Sequence, residues 1–485
     1  MPCPTLPIED LPAWAHLNDV TFHTVEVTDT EGKGYGVLCP RDLEATEGAP
    51  DIPPLLTVPH DLVLNAAAVD EYAKEDKNFR HLLDAVGHRG TRADVLLFLL
   101  VQAALASRPG HPPVGVSNPW REYLQFLPES VSVPTLWTDH ERPLLRGTSL
   151  EAAVDAKISA LDAEFGLIQE KSSDLDSWSD ILWHDGSVSF TDWIRLDALY
   201  RSRCLELPRS GESMVPCIDM LNHAGTPSAY YEESPRDEVI LLLRPGVSIS
   251  NGEEVTISYG DNKSAAEMLF NYGFIDPQSA ADSLVLPLTP FPDDPLAKAK
   301  LIAFGQAPQI HVARDQDGAI RWGSEFVYLM CVNEEDGLAF RVLQDTDGGR
   351  QLRVFWQEED VTDRTGGFEE LIRTHPLFAV FKLRVVTVVQ ETIQTQLERL
   401  RSTAPPDNPS SLQREDCFRM ALLLRQIETN ILEASVEALE EEGGVLQRTL
   451  LMAHENVVAY LAGPAEQPNS DLAGEEASNE ADDFS

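Results

Sequence analysis

The alternation of apolar and polar residues predicts short strands on either side of a long helical block. Residues 21–27 alternate as a half-buried strand does, and apolar runs at 55–58 and 239–243 predict further strands. Between about residues 69 and 193 the apolar spacing becomes helical, and a buried helix is predicted over 92–106. The pattern therefore indicates an α+β fold in which helices separate two groups of strands.

A strand that ends in a tyrosine precedes a short, capped helix. Residues 254–259 alternate and place Tyr259 at the end of the strand. Residues 264–267 read Ser-Ala-Ala-Glu, a capping box that predicts a helix start, and Gly273 can end this helix in a left-handed conformation. The tight turn between strand and helix can bring Tyr272 back towards Tyr259.

Long helices are predicted towards the C-terminus. Residues 378–400 and 412–439 carry apolar residues at helical spacing, and the Pro and Gly pairs at 405–406 and 443–444 predict breaks. Residues 464–485 have no apolar stripe and only acidic charges, which predicts a disordered tail.

The chain is strongly acidic. Its 485 residues carry a formal net charge of −43, which disfavours binding to nucleic acid or to anionic membranes and would attract a basic protein. A contribution to solubility alone is the alternative interpretation. The length predicts two or three domains.

Cysteine usage and hydropathy indicate an intracellular protein. The six cysteines include no CxxC pair, and no histidines accompany them at zinc-ligand spacing, so we expect no metal site. No secretory signal is evident at the N-terminus, and the apolar run at 95–106 is too short to span a bilayer. We therefore expect the protein in the cytoplasm, the nucleus or both.

Two short motifs could bind a cofactor. Gly34 and Gly36 flank Tyr35 in a predicted turn where the backbone could approach a ligand, although an ordinary hairpin turn gives the same pattern. A strand rather than a helix follows this turn, which argues against a dinucleotide-binding fingerprint. Asn222 and His223 follow an apolar run and could hold a nucleoside-like cofactor, or could simply end a capped element.

Two tyrosines and one arginine complete the set of candidates. Tyr259 and Tyr272 are costly to bury together unless each hydroxyl finds a partner, and an aromatic channel for an amine would supply one. Core packing is the alternative for both tyrosines. Arg203 lies on a helical pattern just before the region that carries the two tyrosines, where its guanidinium could bind a carboxylate or form a surface ion pair.

Together these motifs resemble the SET-domain protein methyltransferases of the Rubisco large-subunit methyltransferase type. Residues 14–43 resemble the opening helix, strand and glycine turn of that family, and residues 118–128 resemble a segment of its helical insert. Residues 214–277 resemble the second half of its SET domain. The resemblance implies a split SET-domain β-fold with a helical insert, followed by an all-α C-terminal substrate-binding domain.

The resemblance divides the chain into five parts. These are an N-terminal helix with the first SET half (1–92), the helical insert (93–195), the second SET half (196–278), the C-terminal domain (279–463) and the acidic tail (464–485). The insert carries no chemical constellation of its own.

The resemblance also implies a site for S-adenosylmethionine and a channel for a lysine side chain, without a metal. The implied cofactor-binding residues are Gly34, Tyr35, Gly36, Arg203, Asn222, His223, Tyr259 and Phe274. Tyr259 would be the catalytic residue, and Tyr259 and Tyr272 would line the lysine channel.

The implied activity is methylation of a lysine side chain in a non-histone protein. The charge favours a basic substrate, such as a ribosomal protein, a translation factor or a histone-like tail, and we expect a monomer that binds neither nucleic acid nor membranes. Methylation of a protein histidine is one alternative, because some relatives have that activity. Those relatives lack the tyrosine of the Tyr-Gly-Phe motif. A catalytically weak scaffold that holds a basic partner is another. The presence of Tyr272 favours lysine, and the intact motifs at Asn222, Tyr259 and Tyr272 favour an enzyme.

Overall fold

The structure, a computed structural model, describes most of the chain. The described residues are 5–30, 32–44, 53–107, 116–278, 280–344, 349–406 and 408–461. They fall into two compact units, the first taken from 1–287, 309–323 and 393–435 and the second from 288–308, 324–392 and 436–485. The division into five parts stays a prediction, and the tail predicted at 464–485 lies outside the described residues.

Helices dominate the middle and the end of the chain. Within the described residues they are α1 (Leu11–Leu17), α2 (Ala66–Glu75), α3 (Lys77–Val86), α4 (Thr91–Ala106), α5 (Trp120–Tyr123), α6 (Leu150–Ser172), α7 (Asp176–Trp183), α8 (Phe190–Arg203), α9 (Ala265–Tyr272), α10 (Ala297–Phe304), α11 (Val327–Met330), α12 (Phe368–Ile372), α13 (Phe378–Ser402) and α14 (Glu415–Leu461).

The strands are short. In the same residues they are β1 (Thr21–Phe22), β2 (Glu26–Thr30), β3 (Gly34–Leu38), β4 (Leu43–Glu44), β5 (Leu56–Pro59), β6 (Cys204–Leu207), β7 (Gly211–Met214), β8 (Asn222–His223), β9 (Ala229–Glu233), β10 (Glu238–Leu243), β11 (Ser248–Ile249), β12 (Glu254–Ile257), β13 (Ser283–Pro287), β14 (Gln309–Arg314), β15 (Ile320–Gly323), β16 (Leu338–Gln344), β17 (Arg350–Trp356) and β18 (Glu359–Asp360).

Strands from the start of the chain pair with strands that follow the helical block. In the first unit one sheet has the order β1-β5-β10-β9 and another the order β2-β3-β12-β8. The single strand predicted over 21–27 is therefore wrong, because β1 and β2 belong to different sheets. β8 runs parallel to β12, with Asn222 beside Thr256 and His223 beside Ile257. This pairing places Asn222 and His223 next to the end of β12, just before Tyr259.

The helical block is held together by a buried carboxylate. Asp197 on α8 is fully buried and lies 2.6 Å from Arg92 of α4, 3.0 Å from Lys157 of α6 and 2.8 Å from Arg201 of α8. Burial alone would raise the pKa of Asp197, but these three cations hold it below its usual value. The network fixes the helix that ends at Arg203.

The prediction of an all-α region over 279–463 is wrong for the described residues. β13, β14 and β15 form one three-stranded sheet, and β16, β17 and β18 form another. Gly443 and Gly444 do not break the last helix, since α14 continues from Glu415 to Leu461. A glycine inside a helix costs only about 1 kcal/mol, and a Cβ at Gly443 would lie 3.7 Å from Val386 Cγ1, so the residue sits in an ordinary packed helix.

Candidate active site

The predicted site residues meet at one cavity of the first unit. The cavity has a volume of about 760 Å³, within the usual range for a small-molecule site. Its lining includes all but one of the predicted residues, namely Gly34, Tyr35, Arg203, Asn222, His223, Tyr259, Tyr272 and Phe274. The exception is Gly36. The fold therefore brings together segments up to 240 residues apart in the sequence, and the roles of these residues stay predictions.

Gly36 lies behind the cavity wall, where the chain is crowded. A Cβ at this position would lie 2.7 Å from Thr30 Cγ2, 2.8 Å from Glu254 Oε1 and 3.0 Å from Asn222 Nδ2. Contacts this short are essentially absent for real Cβ atoms. Glycine is therefore required here for the close approach of β3 to its neighbours rather than for contact with a ligand.

The Asn222 amide is oriented by hydrogen bonds that it donates to residues of β12 and β3. Asn222 Nδ2 donates to Glu254 Oε1 at 2.6 Å and to the Tyr35 carbonyl oxygen at 3.3 Å. Lys33 Nζ donates to Glu254 Oε2 at 2.7 Å and so holds the carboxylate in place. With both amide protons engaged, Asn222 Oδ1 is the atom available to accept a hydrogen bond from a ligand.

The capped helix α9 forms as predicted and returns a tyrosine to the site. Ser264 and Glu267 make the reciprocal bonds of a capping box, and Gly273 ends the helix at a φ of 82°. The Tyr272 ring lies 4.7 Å from the Tyr259 ring between centroids, and the Tyr272 hydroxyl donates to the Tyr259 carbonyl oxygen at 3.1 Å. Local capping chemistry thus produces the predicted convergence of the two phenols.

Tyr259 is held on both sides. Its hydroxyl donates to the Leu221 carbonyl oxygen at 2.7 Å, and its backbone N–H donates to His223 Nδ1 at 3.2 Å. The Phe274 ring lies 6.3 Å from the Tyr259 ring and 6.2 Å from the His223 ring. Burial lowers the pKa of His223, which favours the neutral imidazole that can accept this bond.

Both phenols remain protonated near neutral pH. Burial raises the pKa of Tyr259 well above its usual value and that of Tyr272 to about 12. Neither side chain is therefore a phenolate base in the protein on its own, and each can donate or accept a hydrogen bond through its hydroxyl.

A second cavity lies on the tyrosine pair. It has a volume of about 580 Å³, and Tyr259 and Tyr272 belong to the linings of both cavities. Glu206 and Glu212, which face each other across the β6–β7 pair, also line the second cavity together with Lys263. The two tyrosines, together with Ser202, Arg203 and Asp219, therefore belong to the wall shared by one cavity that reaches Asn222 and His223 and another with charged residues around it.

Arg203 forms a buried ion pair that sequence reasoning missed. Its Nη1 atom donates to the Asp219 carbonyl oxygen at 2.6 Å and lies 4.0 Å from Asp219 Oδ2. Burial raises the pKa of Asp219 to about 6, and Arg203 opposes this rise. Since the Arg203 side chain is only 16% exposed, the surface ion pair considered for it is wrong.

The same pair has unsatisfied polar atoms. Arg203 Nε and Asp219 Oδ2 are buried without a hydrogen-bond partner, and both residues line both cavities. A buried donor and a buried acceptor left in this state are costly unless a ligand satisfies them. The pair fits a ligand that presents a carboxylate and an ammonium group, as the amino-acid end of S-adenosylmethionine does.

The sequence offered some signal for Asp219 and little for Glu254. Asp219 is the one charge in the apolar run that precedes Asn222, which marks it as a buried carboxylate in need of a partner. Glu254 opens β12 like many exposed strand residues, and only the pairing of β12 with β8 reveals its contact with Asn222.

The described residues contain neither a metal-binding cluster nor a membrane-spanning helix. In the part of the chain that the structure describes, no group of three or more His, Cys, Asp or Glu side chains is placed to hold a metal ion. Among the helices of that same part, none combines the length and the apolar character that crossing a membrane requires.

The chain is similar to known proteins over most of its length. No protein-family model matches it. It is 27% identical over 396 residues to SET domain-containing protein 8 of Schizosaccharomyces pombe, an alignment that covers 79% of this chain and 87% of that protein. It is 26% identical over 197 residues to the chloroplastic [fructose-bisphosphate aldolase]-lysine N-methyltransferase of Arabidopsis thaliana, covering 38% of this chain and 39% of that one.

A solved structure has the same fold. The structure of Rubisco LSMT bound to AdoMet superposes with a TM-score of 0.65 at 18% identity, covering 91% of this chain and 94% of that one. The predicted SET fold with mixed helices and sheets is confirmed by this similarity. The predicted relationship to SET-domain methyltransferases is confirmed as well. The relatives are named as a SET-domain protein and a lysine methyltransferase, and the Rubisco LSMT structure contains AdoMet, the expected cofactor.

Proposed function

We propose that this chain, a homologue of SET-domain protein-lysine methyltransferases, transfers a methyl group from S-adenosylmethionine to a lysine side chain of a protein. One observation carries the proposal: Tyr259 and Tyr272 lie in the wall shared by two cavities, beside Arg203 and Asp219. A group transfer between a cofactor and a large protein substrate needs two entrances that meet at the reacting atoms. The tyrosine pair provides such a meeting point.

The first cavity would hold the cofactor. Arg203 and Asp219 would bind its carboxylate and ammonium groups, and Asn222 Oδ1 would accept a hydrogen bond. When bound, S-adenosylmethionine supplies an activated methyl group on a sulfonium. The residues of this cavity then need only hold it in line with the attacking amine, and alignment of this kind accounts for a large share of enzymatic rate enhancement.

The second cavity would admit the substrate lysine to the tyrosine pair. The amine must be neutral to attack, and a buried aromatic channel lowers the pKa of an ammonium group. The protonated Tyr259 hydroxyl is anchored to the Leu221 carbonyl oxygen, so its position does not depend on the substrate. This anchoring supports Tyr259 as the catalytic residue, acting by orientation of the amine rather than as a phenolate base.

The charge supports a basic protein as the substrate, and a relative named as a [fructose-bisphosphate aldolase]-lysine N-methyltransferase supports one that is not a histone. A net charge of −43 attracts a basic protein by long-range electrostatics, and Glu206 and Glu212 on the second cavity would favour a cationic residue near the target lysine. We propose that the chain acts as a monomer in the cytoplasm or the nucleus.

Transfer of labelled methyl groups tests this function. Wild type and Tyr259→Phe would be incubated with labelled S-adenosylmethionine and an extract of cells that lack the protein, and labelled bands would be analysed by mass spectrometry. We expect methyl-lysine in a basic protein with the wild type, and none with Tyr259→Phe although that variant still binds the cofactor. Equal labelling by both would refute the role of Tyr259. Label on histidine would establish the alternative activity, and cofactor binding without any transfer would favour a scaffold.

A further inference from the structure

We propose that Tyr123 of the helical insert is a positioning residue for the cofactor site, whose hydroxyl sets the conformation of the loop that carries Asp219. This inference rests on the proposed function. The helical insert, in which the sequence revealed no group of candidate functional residues, would then contribute to the cofactor site.

The Tyr123 hydroxyl is shared by two groups of the loop. It accepts a hydrogen bond from the backbone N–H of Cys217 at 2.7 Å and donates one to Asp219 Oδ1. Cys217 has a φ of 69°, a left-handed conformation that is strained for a residue other than glycine. One hydroxyl therefore satisfies a buried N–H in a strained turn and a buried carboxylate two residues later, which fixes the turn in a single form.

The effect extends to the cofactor-facing atoms through Asp219. Its carbonyl oxygen accepts from Arg203 Nη1, while its Oδ2 atom is left without a hydrogen-bond partner in a residue that lines both cavities. Because Tyr123 occupies Oδ1, the carboxylate is oriented with Oδ2 as the remaining acceptor. Tyr123 does not line either cavity and acts only through Asp219.

The ring that carries this hydroxyl is packed between two tryptophans. Tyr123 is fully buried, and its ring lies 4.9 Å from that of Trp14 and 5.2 Å from that of Trp120. Trp120 is itself tied by its indole N–H to the Leu62 carbonyl oxygen at 3.0 Å. The aromatic cluster thus makes the insert a rigid support for the loop.

The inference predicts a pH signature. The groups that face Asp219 are Arg203 on α8, Tyr123 on α5, Cys217 in the same loop, Tyr259 after β12 and Cys204 on β6. Burial raises the pKa of the Asp219 carboxyl to about 6, whereas the positive charge of Arg203 and the hydrogen bond from Tyr123 favour its charged form. Removing the Tyr123 hydroxyl raises this pKa further, so Asp219 becomes protonated earlier as the pH falls. The loss of cofactor affinity on acidification should therefore begin at a higher pH in Tyr123→Phe than in the wild type.

Calorimetric titration of the full chain with S-adenosylmethionine tests the proposal. Tyr123→Phe is compared with Tyr72→Phe, a matched control whose hydroxyl lies 3.2 Å from Asp76 Oδ2 and 3.1 Å from the Val116 carbonyl oxygen and whose residue lines neither cavity. We expect the affinity of Tyr123→Phe to fall roughly ten-fold at pH 7.5, the scale of one lost hydrogen bond to a charged group, and to fall faster than that of the wild type between pH 8 and pH 6. Tyr72→Phe should bind like the wild type at every pH, and both variants should keep their maximal rate at saturating cofactor.

The outcomes separate this inference from the proposed function. Affinity and pH dependence of Tyr123→Phe equal to those of Tyr72→Phe would overturn the positioning role. A wild type that binds no cofactor would refute the proposed function itself. A double-mutant cycle with Asp219→Asn serves as a second measurement: we expect Tyr123→Phe to have little further effect in that background, and additive effects would also overturn the role.

Discussion

Replacement of Gly36 by alanine should damage the cofactor site without touching the cavity. The added Cβ would lie 2.7 Å from Thr30 Cγ2 and 2.8 Å from Glu254 Oε1, whereas ordinary contacts begin near 3.4 Å. The neighbours must therefore move by roughly 0.6–0.7 Å, and overpacking of this kind costs about 1–3 kcal/mol. Glu254 is the neighbour that can yield most easily, because its carboxylate is the far end of a flexible side chain, whereas the Thr30 methyl group sits on a β-branched side chain that is stiff at χ1.

Movement of Glu254 would disturb the Asn222 amide. The 2.6 Å bond between Asn222 Nδ2 and Glu254 Oε1 would lengthen or break, and Asn222 Oδ1 would lose its orientation. If the whole cost falls on the cofactor-bound state, about 1–3 kcal/mol corresponds to an affinity for S-adenosylmethionine roughly 5- to 160-fold weaker. Calorimetric titration measures this loss, and chemical denaturation shows any part of the cost that appears as stability instead.

A matched control separates crowding from the mere loss of a glycine. Gly323 in β15 has no atom within 4 Å of a Cβ added there and no positive φ, so Gly323→Ala should leave both affinity and stability unchanged. Wild-type affinity together with wild-type stability in Gly36→Ala would refute the argument, because the crowded position would then be shown to accommodate a Cβ at no cost.

Two further predictions concern stability. Glu428 is buried against Ser149, and burial raises its pKa from 4.5 to about 7. The neutral carboxyl therefore contributes its full share of the free energy of unfolding below about pH 4.5, and this contribution is lost as the pH rises through about 7. Urea unfolding should therefore show the wild type losing up to about 3 kcal/mol between pH 5 and pH 8, a loss that Glu428→Gln should largely abolish; parallel curves would contradict this assignment. Lys300 is 1% exposed and donates a hydrogen bond to Asp294 at 2.6 Å. Asp294→Ala leaves this buried ammonium without its ion-pair partner, so urea unfolding should show a free energy of unfolding lower by about 3–5 kcal/mol. Asp360→Ala, which breaks an exposed pair, is the control, and equal effects of the two variants would contradict the burial argument.

The sequence by itself determined the features that depend on neighbours along the chain. The capping box at Ser264 and Glu267 and the left-handed Gly273 define α9 through bonds that span only a few residues. The buried helix predicted over 92–106 agrees with α4 to within a residue. Since α9 follows directly after Tyr259, the convergence of Tyr259 and Tyr272 also followed from local geometry.

Only the tertiary structure decided which distant polar groups meet. Asn222 finds the Tyr35 carbonyl 187 residues away, and the Tyr123 hydroxyl meets Asp219 across 96 residues. The strands in the predicted all-α region were missed for the same reason, because a strand's backbone bonds lie with a partner that its own sequence does not specify. A helix satisfies its hydrogen bonds within one turn, whereas a sheet or a buried polar pair satisfies them only after the chain has closed a long loop. The convergence of the tyrosines was thus readable in the sequence, and the polar contacts that surround them were not.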